Sequence, residues 1–238
     1  TSTGETMKRT LLAALAAVIL LSSRSAGQSQ NNLQELLKKF FYAEALPLWE
    51  YTATRRMTGS GMTRNARMDV RVTLSEGNIF TYDITGEEGD NFVINKLTEY
   101  LDGEKAALSK EGDASFNERN YRFQSSPSAS GEIQKVAVKP HKDKDYLIEG
   151  DIYLGPEGQL VRTDGKLVKN PTSTLRNVKI KKEYATIAGV QMPVKVEYIG
   201  KLVPSDALLV FYWLLPHGTM TIESKYHSVN YVKVGAPP

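Results

Sequence analysis

The chain contains no cysteine, three histidines and two tryptophans. Without cysteine there is no disulfide, no thiolate metal cluster and no thiol to carry a lipid. His141, His217 and His227 do not fall at metal-ligand spacing from one another. No G-x-S-x-G elbow, S-x-x-K or H-E-x-x-H motif occurs, and no phosphate-binding loop. No apolar run reaches the ~20 residues that a membrane-spanning helix needs. A core must hold such a protein together unaided, and the sequence predicts no catalytic residue, no metal and no cofactor.

One apolar run has a clear purpose. Met7-Lys8-Arg9 precedes Leu11 to Leu21, and Ser22-Ser23-Arg24-Ser25-Ala26-Gly27 follows. Two positive charges, a short apolar segment and small exit residues predict a secretory signal peptide, with cleavage between Gly27 and Gln28. The expected mature chain is residues 28–238, a single domain released to the periplasm or secreted, with no integral span. Removing residues 1–27 takes away Lys8, Arg9, Arg24 and Glu5, so the formal charge falls from +3 to +1. Near-neutrality gives no reason to expect a nucleic-acid partner.

Along the mature chain one helix is legible. Leu33, Leu36, Leu37, Phe40, Phe41 and Leu46 recur at helical spacing, Asn32 and Glu35 can form a capping box, and Pro47 ends the run. It reads as a helix packed on a sheet. Beyond Pro47 the period becomes two. Ala66, Met68, Val70, Val72 and Leu74 alternate with polar residues, and Phe80, Tyr82 and Ile84 follow after a turn. Asn91 to Leu101 is expected to continue the strands. Residues 103–118 read as a loop, Gly59-Ser60-Gly61 as a hairpin turn and Asp164-Gly165 as another. Gly155-Pro156-Glu157-Gly158 is a turn in which Pro presets φ and Gly permits φ > 0. Pro193 predicts an edge or a bulge. About ten strands without alternating helices predict a mainly β fold: a curved antiparallel sheet or half-barrel with an N-terminal amphipathic helix on it.

Two features stand out from this plan. Ala207 to Leu215 is apolar throughout and bracketed by Pro204 and Pro216. It is read as a strand covered on both faces, a pocket lining or an interaction patch. The acidic groups Glu87-Glu88-Gly89-Asp90 and Asp143 with Asp145 read as solvated loop charge rather than a calcium or acid–base site. An exported hydrolase would need a site built on His217 or His227.

The run Gly150-Asp151-Ile152-Tyr153-Leu154 with Gly158-Gln159-Leu160-Val161-Arg162, then Ile187-Ala188-Gly189-Val190-Gln191-Met192-Pro193 and a closing strand from Met220 to Tyr231, resembles the LolA-like superfamily. That superfamily includes periplasmic lipoprotein carriers and sigma-factor regulators. The resemblance implies a half-barrel whose concave face is plugged by helices and takes an acyl chain or a hydrophobic peptide. On this reading the protein holds an apolar ligand, a lipid or a lipoprotein acyl chain. Trp49, Tyr51, Phe80, Tyr82, Phe211 and Trp213 are the candidate lining. The other reading is a non-catalytic envelope protein with a filled core and a protein partner.

Overall fold

The computed structural model describes residues 32–43, 48–61, 63–75, 79–109, 114–126, 133–144, 146–170, 175–187, 190–203 and 218–234. Helix α1 covers residues 32–43. Then come β1 (Leu48–Gly61), β2 (Arg64–Ser75), β3 (Ile79–Gly89) and helix α2 (Asn91–Ser109). The second half holds β4 (Tyr121–Ser125), β5 (Gln134–Pro140), β6 (Ile148–Leu154), β7 (Leu160–Leu167), β8 (Leu175–Ile187), β9 (Val190–Leu202) and β10 (Gly218–Val234).

All ten strands pair antiparallel in one curved, unclosed sheet, in the order β3-β2-β1-β10-β9-β8-β7-β6-β5-β4. The two edges are therefore β3 and β4, which are consecutive strands in the chain. The link between them must cross the sheet, and α2 makes that crossing. Nineteen helical residues reach about 28 Å at 1.5 Å each. This topology puts a helix across the concave face.

The alternation read in the sequence gives β2 its facing. Ala66, Met68, Val70, Val72 and Leu74 are all buried, and the residues between them face outward. Pro193 sits opposite Tyr184 at a shift in the β8–β9 register, so it marks a bulge in a central strand. Helix α1 buries Phe40 against Phe116 and Phe41 against Phe123, over the β4 end of the sheet. Lys39 reaches Glu157 in the β6–β7 turn at 3.0 Å.

Several local expectations are corrected. Residues 91–109 form one helix, not a strand followed by a loop. Val93, Leu97 and Leu101 stand four residues apart and are all buried, while the β-branched and aromatic residues between them imitate a strand. The start is capped: the Asp90 carboxylate accepts from the backbone N–H of Phe92 and Val93. Glu87, Glu88 and Gly89 end β3, so that acidic group is strand end and cap rather than loop. Gly89 has φ +114°, and a Cβ there would lie 2.5 Å from the Asn65 carbonyl oxygen.

Gly59-Ser60-Gly61 lies inside β1, not in a turn. A Cβ on Gly59 would stand 2.5 Å from Val93 Cγ1 and 3.3 Å from Leu97 Cδ2, so its bareness seats α2. Asp164-Gly165 lies within β7, where Gly165 pairs with Gly150. Ala207 to Leu215 falls outside the described residues, in the connection from β9 to β10. Among the described residues no helix is long and apolar enough to cross a membrane.

Candidate functional site

Helix α2 meets the sheet differently along its two sides. One side carries Val93, Leu97 and Leu101 and is sealed against β1–β3. The other carries Tyr100, Glu104, Ala107 and Leu108 and faces a cavity of about 260 Å³. The floor of that cavity is the concave face of the central strands, with Ile148, Leu167, Ile180, Val196 and Ile222 among its residues. Phe116 and Tyr121 close the side toward β4. Most of the wall is therefore hydrocarbon or aromatic.

The charged residues in the wall are Lys96, Glu99, Glu104 and Lys182. Lys96 holds Glu99 at 2.7 Å. Glu104 is bound from behind by Arg55, whose two terminal nitrogens donate to its two oxygens at 2.6 and 2.9 Å. Arg55 is 2% exposed, on the concave side of β1 between Ala53 and Met57. It also donates to the Tyr226 hydroxyl and lies 4.3 Å from the centre of the Tyr226 ring. Burial opposes the Arg55 charge, but the Glu104 carboxylate outweighs it and holds the guanidinium firmly protonated. Tyr82 donates to Asp102 at 2.7 Å, a second polar tie between α2 and the sheet.

Four tyrosines line the cavity: Tyr100, Tyr121, Tyr146 and Tyr198. Tyr100 meets Tyr198 edge-on at 4.8 Å. Burial, and then the neighbouring Tyr198 and Glu104, push the Tyr100 phenol well above its ordinary value. Burial does the same to Tyr198, with Glu104 adding to it. Tyr121 is pushed up to about 12 by burial, against a hydrogen bond from the Ile148 N–H. The Tyr100, Tyr121 and Tyr198 hydroxyls stay neutral at physiological pH and act as donors or acceptors, not as anions.

The candidate lining read from sequence is spread more widely than this cavity. Tyr51 and Phe80 are buried on the concave face at the β1–β3 end, and Tyr82 is half-buried beside them. The Tyr51 hydroxyl lies 3.3 Å from that of Tyr226, and Phe80 lies 5.6 Å from the Arg55 guanidinium. Tyr51 and Phe80 thus gather around the Arg55–Glu104 pair, behind the cavity wall, while Tyr82 lies against Phe80 and bonds Asp102. The Trp49 side chain, Phe211 and Trp213 lie outside the described parts of the molecule, as does His217. His141 bonds to Arg122 and to the Glu118 carbonyl, and His227 is exposed on β10; neither is in the cavity wall. Among the described residues no three His, Asp or Glu side chains group to hold a metal ion.

The sequence reading missed Tyr100, Glu104 and Arg55. Tyr100 and Glu104 follow from the four-residue spacing of α2 once Asp90 is seen as its cap. Arg55 carries a plainer signal: it is an ionic residue at an inward position of a strand.

No family model matches the chain, and no curated protein matches it. Solved structures do. A domain named for outer-membrane lipoprotein sorting, from Vibrio parahaemolyticus, aligns over 84% of this chain and 91% of its own, at 9% identity and a TM-score of 0.38. A DUF1329 family protein from Desulfovibrio piger aligns over 82% and 92%, at 10% identity and a TM-score of 0.39. Lipovitellin aligns over 80% of this chain but 26% of its own, at 10% identity and a TM-score of 0.34. Ligand, partner and chemistry do not follow from likeness at this level.

Proposed function

We propose that this chain is an exported, periplasmic binding protein that holds an apolar chain between α2 and the concave face of its sheet. The cavity of about 260 Å³ carries this reading. Its wall is mostly apolar, with a few polar groups set among the hydrocarbon, as in sites for small amphipathic ligands. Each methylene buried there contributes about 0.8 kcal/mol, without directional demands. Export is inferred from residues 7–27, and the same site would serve a lipid or a lipoprotein acyl chain.

Tyr51, Phe80 and Tyr82 are assigned to the support of this site: they pack or bond around the Arg55–Glu104 and Asp102 ties that hold α2 in place. A catalytic role has no support from the wall, whose carboxylates Glu99 and Glu104 are each held by a cation. An envelope interaction protein with a filled core is the other reading, and the cavity speaks against a filled core.

The test is titration of the full chain with N-phenyl-1-naphthylamine, a neutral apolar dye that brightens when it leaves water. Saturable brightening that is abolished by Val196→Trp, with the fold intact by circular dichroism, is the expected result. No brightening, together with no co-purifying lipid by native mass spectrometry, would sink the reading.

A further inference from the structure

The convex face of the sheet is charged, and over most of it cations face carboxylates. Arg56 holds Asp69, Lys135 holds Asp151 and Lys195 holds Glu223. Across β7, β8 and β9, Asp164, Lys181 and Glu197 stand side by side with alternating sign. The next row toward the start of β8 breaks this rule twice. Lys179 pairs with Lys166 on β7, and Arg176 pairs with Lys201 on β9. Like charges directly opposite destabilise a sheet, so two such pairs side by side work against the fold. All four residues are exposed. Glu149 holds Lys166 at 3.2 Å, whereas Arg176, Lys179 and Lys201 form no ion pair among the described residues.

A bulge builds this cluster. Residues three apart in a regular strand face opposite sides, so Arg176 and Lys179 would be separated by the sheet. The β8–β9 register shifts between them, which brings both to the convex side. Asn177 turns the bulge at φ 53°, and its N–H donates to Asn170 Oδ1 at 3.0 Å. Two neighbouring features suit a bilayer better than an acidic protein. Leu175, next to Arg176 in the chain, points inward and lines the cavity, so the apolar site reaches the same end of the sheet. Leu202, next to Lys201, pairs with Gly218, and the sequence joining those two residues includes nine consecutive apolar residues, Ala207 to Leu215.

We propose that Arg176, Lys179 and Lys201, with Lys166 beside them, dock the protein on a bilayer surface rich in anionic phospholipid. The lipid phosphates neutralise charges that the sheet leaves facing one another, so the repulsion in the free protein is relieved on the surface. Each cation at such a surface strengthens binding about fivefold, and the attraction is screened by salt. The formal charge of the whole chain is only +3, so the attraction comes from the local arrangement.

The experiment is sedimentation of the full chain with vesicles of phosphatidylcholine, with and without phosphatidylglycerol as about one-third of the lipid. Binding should need the anionic lipid and fade as salt rises. Arg176→Gln, Lys179→Gln and Lys201→Gln should each weaken it about fivefold, and the triple variant about a hundredfold. Lys135→Gln removes the same charge from a bridged pair elsewhere on the convex face and should leave binding nearly unchanged. Lys179→Gln should keep or raise the urea midpoint, since it removes a like-charged pair. The chain has no cysteine, so one acrylodan label can be placed at Thr219→Cys, opposite Lys201, or at Thr81→Cys on the far edge strand. On anionic vesicles only the Thr219 label should shift to the blue. Equal binding to both vesicles, or an unshifted label at Thr219, overturns the proposal. So does displacement by inorganic phosphate beyond that by chloride at equal ionic strength, which would make the cluster a site for the free ion. Dye binding without vesicle binding overturns the docking surface alone, and the converse overturns the cavity alone.

Discussion

The two sides of α2 present the same helix to two different surroundings. Against β1–β3, Val93, Leu97 and Leu101 are buried in one core with Met57 and Met68, and Val93 and Leu97 close over Gly59. Against the central strands, Tyr100, Ala107 and Leu108 look across a cavity at Val196 and Ile180. The sealed side fixes where the helix sits, and the open side can therefore stay unfilled. A void beside a well-anchored element persists because the element cannot collapse into it without breaking contacts elsewhere. The Arg55–Glu104 pair lies on the boundary between the two sides.

The comparison is most severely tested at that boundary. Glu104→Ala strands the buried Arg55 guanidinium and should cost about 3–5 kcal/mol in urea unfolding. Glu104 is itself 22% exposed, so Arg55→Met leaves no buried unpaired charge and should cost clearly less. Equal costs would show that the pair is not the anchor.

Next comes truncation on each side. Leu97→Ala, at a residue with no exposure, should lose about 2–5 kcal/mol. Val196→Ala borders space that already exists and should lose about 1 kcal/mol or less. Dye binding should order them the other way, with Val196 variants the more affected.

Gly59→Ala pushes a methyl group into Val93 and should destabilise by about 1–3 kcal/mol, as overpacking does. A shift of α2 toward the cavity should accompany it, seen as weaker dye binding.

Alkaline pH tests the tyrosines on both sides. Burial holds Tyr121 near 12; burial and the Asp102 carboxylate do the same for Tyr82, against an ordinary value of about 10. A phenol raised in the folded state ionises more readily when unfolded. Its contribution is therefore complete below pH ~10 and is lost as pH rises toward 12. The phenolate absorbance should show these two ionising toward pH 12 while the fold holds, and titration of both near pH 10 in the folded chain would refute it.

The smallest effect is expected at the surface. Lys39 and Glu157 are 51% and 78% exposed, so Glu157→Ala should change stability by about 0.5 kcal/mol or less, and α1 should stay seated through Phe40.

Much of the architecture was legible because it is written in local periodicity. The β2 alternation, the α1 stripe, the Pro156 turn and the Pro193 bulge each depend on a few neighbouring residues. Helix α2 was not legible as one piece. Its β-branched and aromatic residues suit a strand, and Gly103 interrupts it, so the Val93-Leu97-Leu101 spacing had to outweigh them. The candidate site was legible only in part. Val196 and Tyr198 show as one strand face, but no local pattern says that α2 will lie above them, or that Arg55 on β1 will meet Glu104 49 residues later.

By itself, then, the sequence determined that the chain makes an antiparallel sheet with one face apolar, since side-chain alternation has a period of two in any sheet. It also determined that no disulfide holds the fold, since there is no cysteine. Only the tertiary structure decided that the link between the two edge strands is a helix crossing the concave face, sealed on one side and open on the other. That choice depends on Gly59 meeting Val93 and Arg55 meeting Glu104, contacts between distant residues that exist only once the sheet has curved around them.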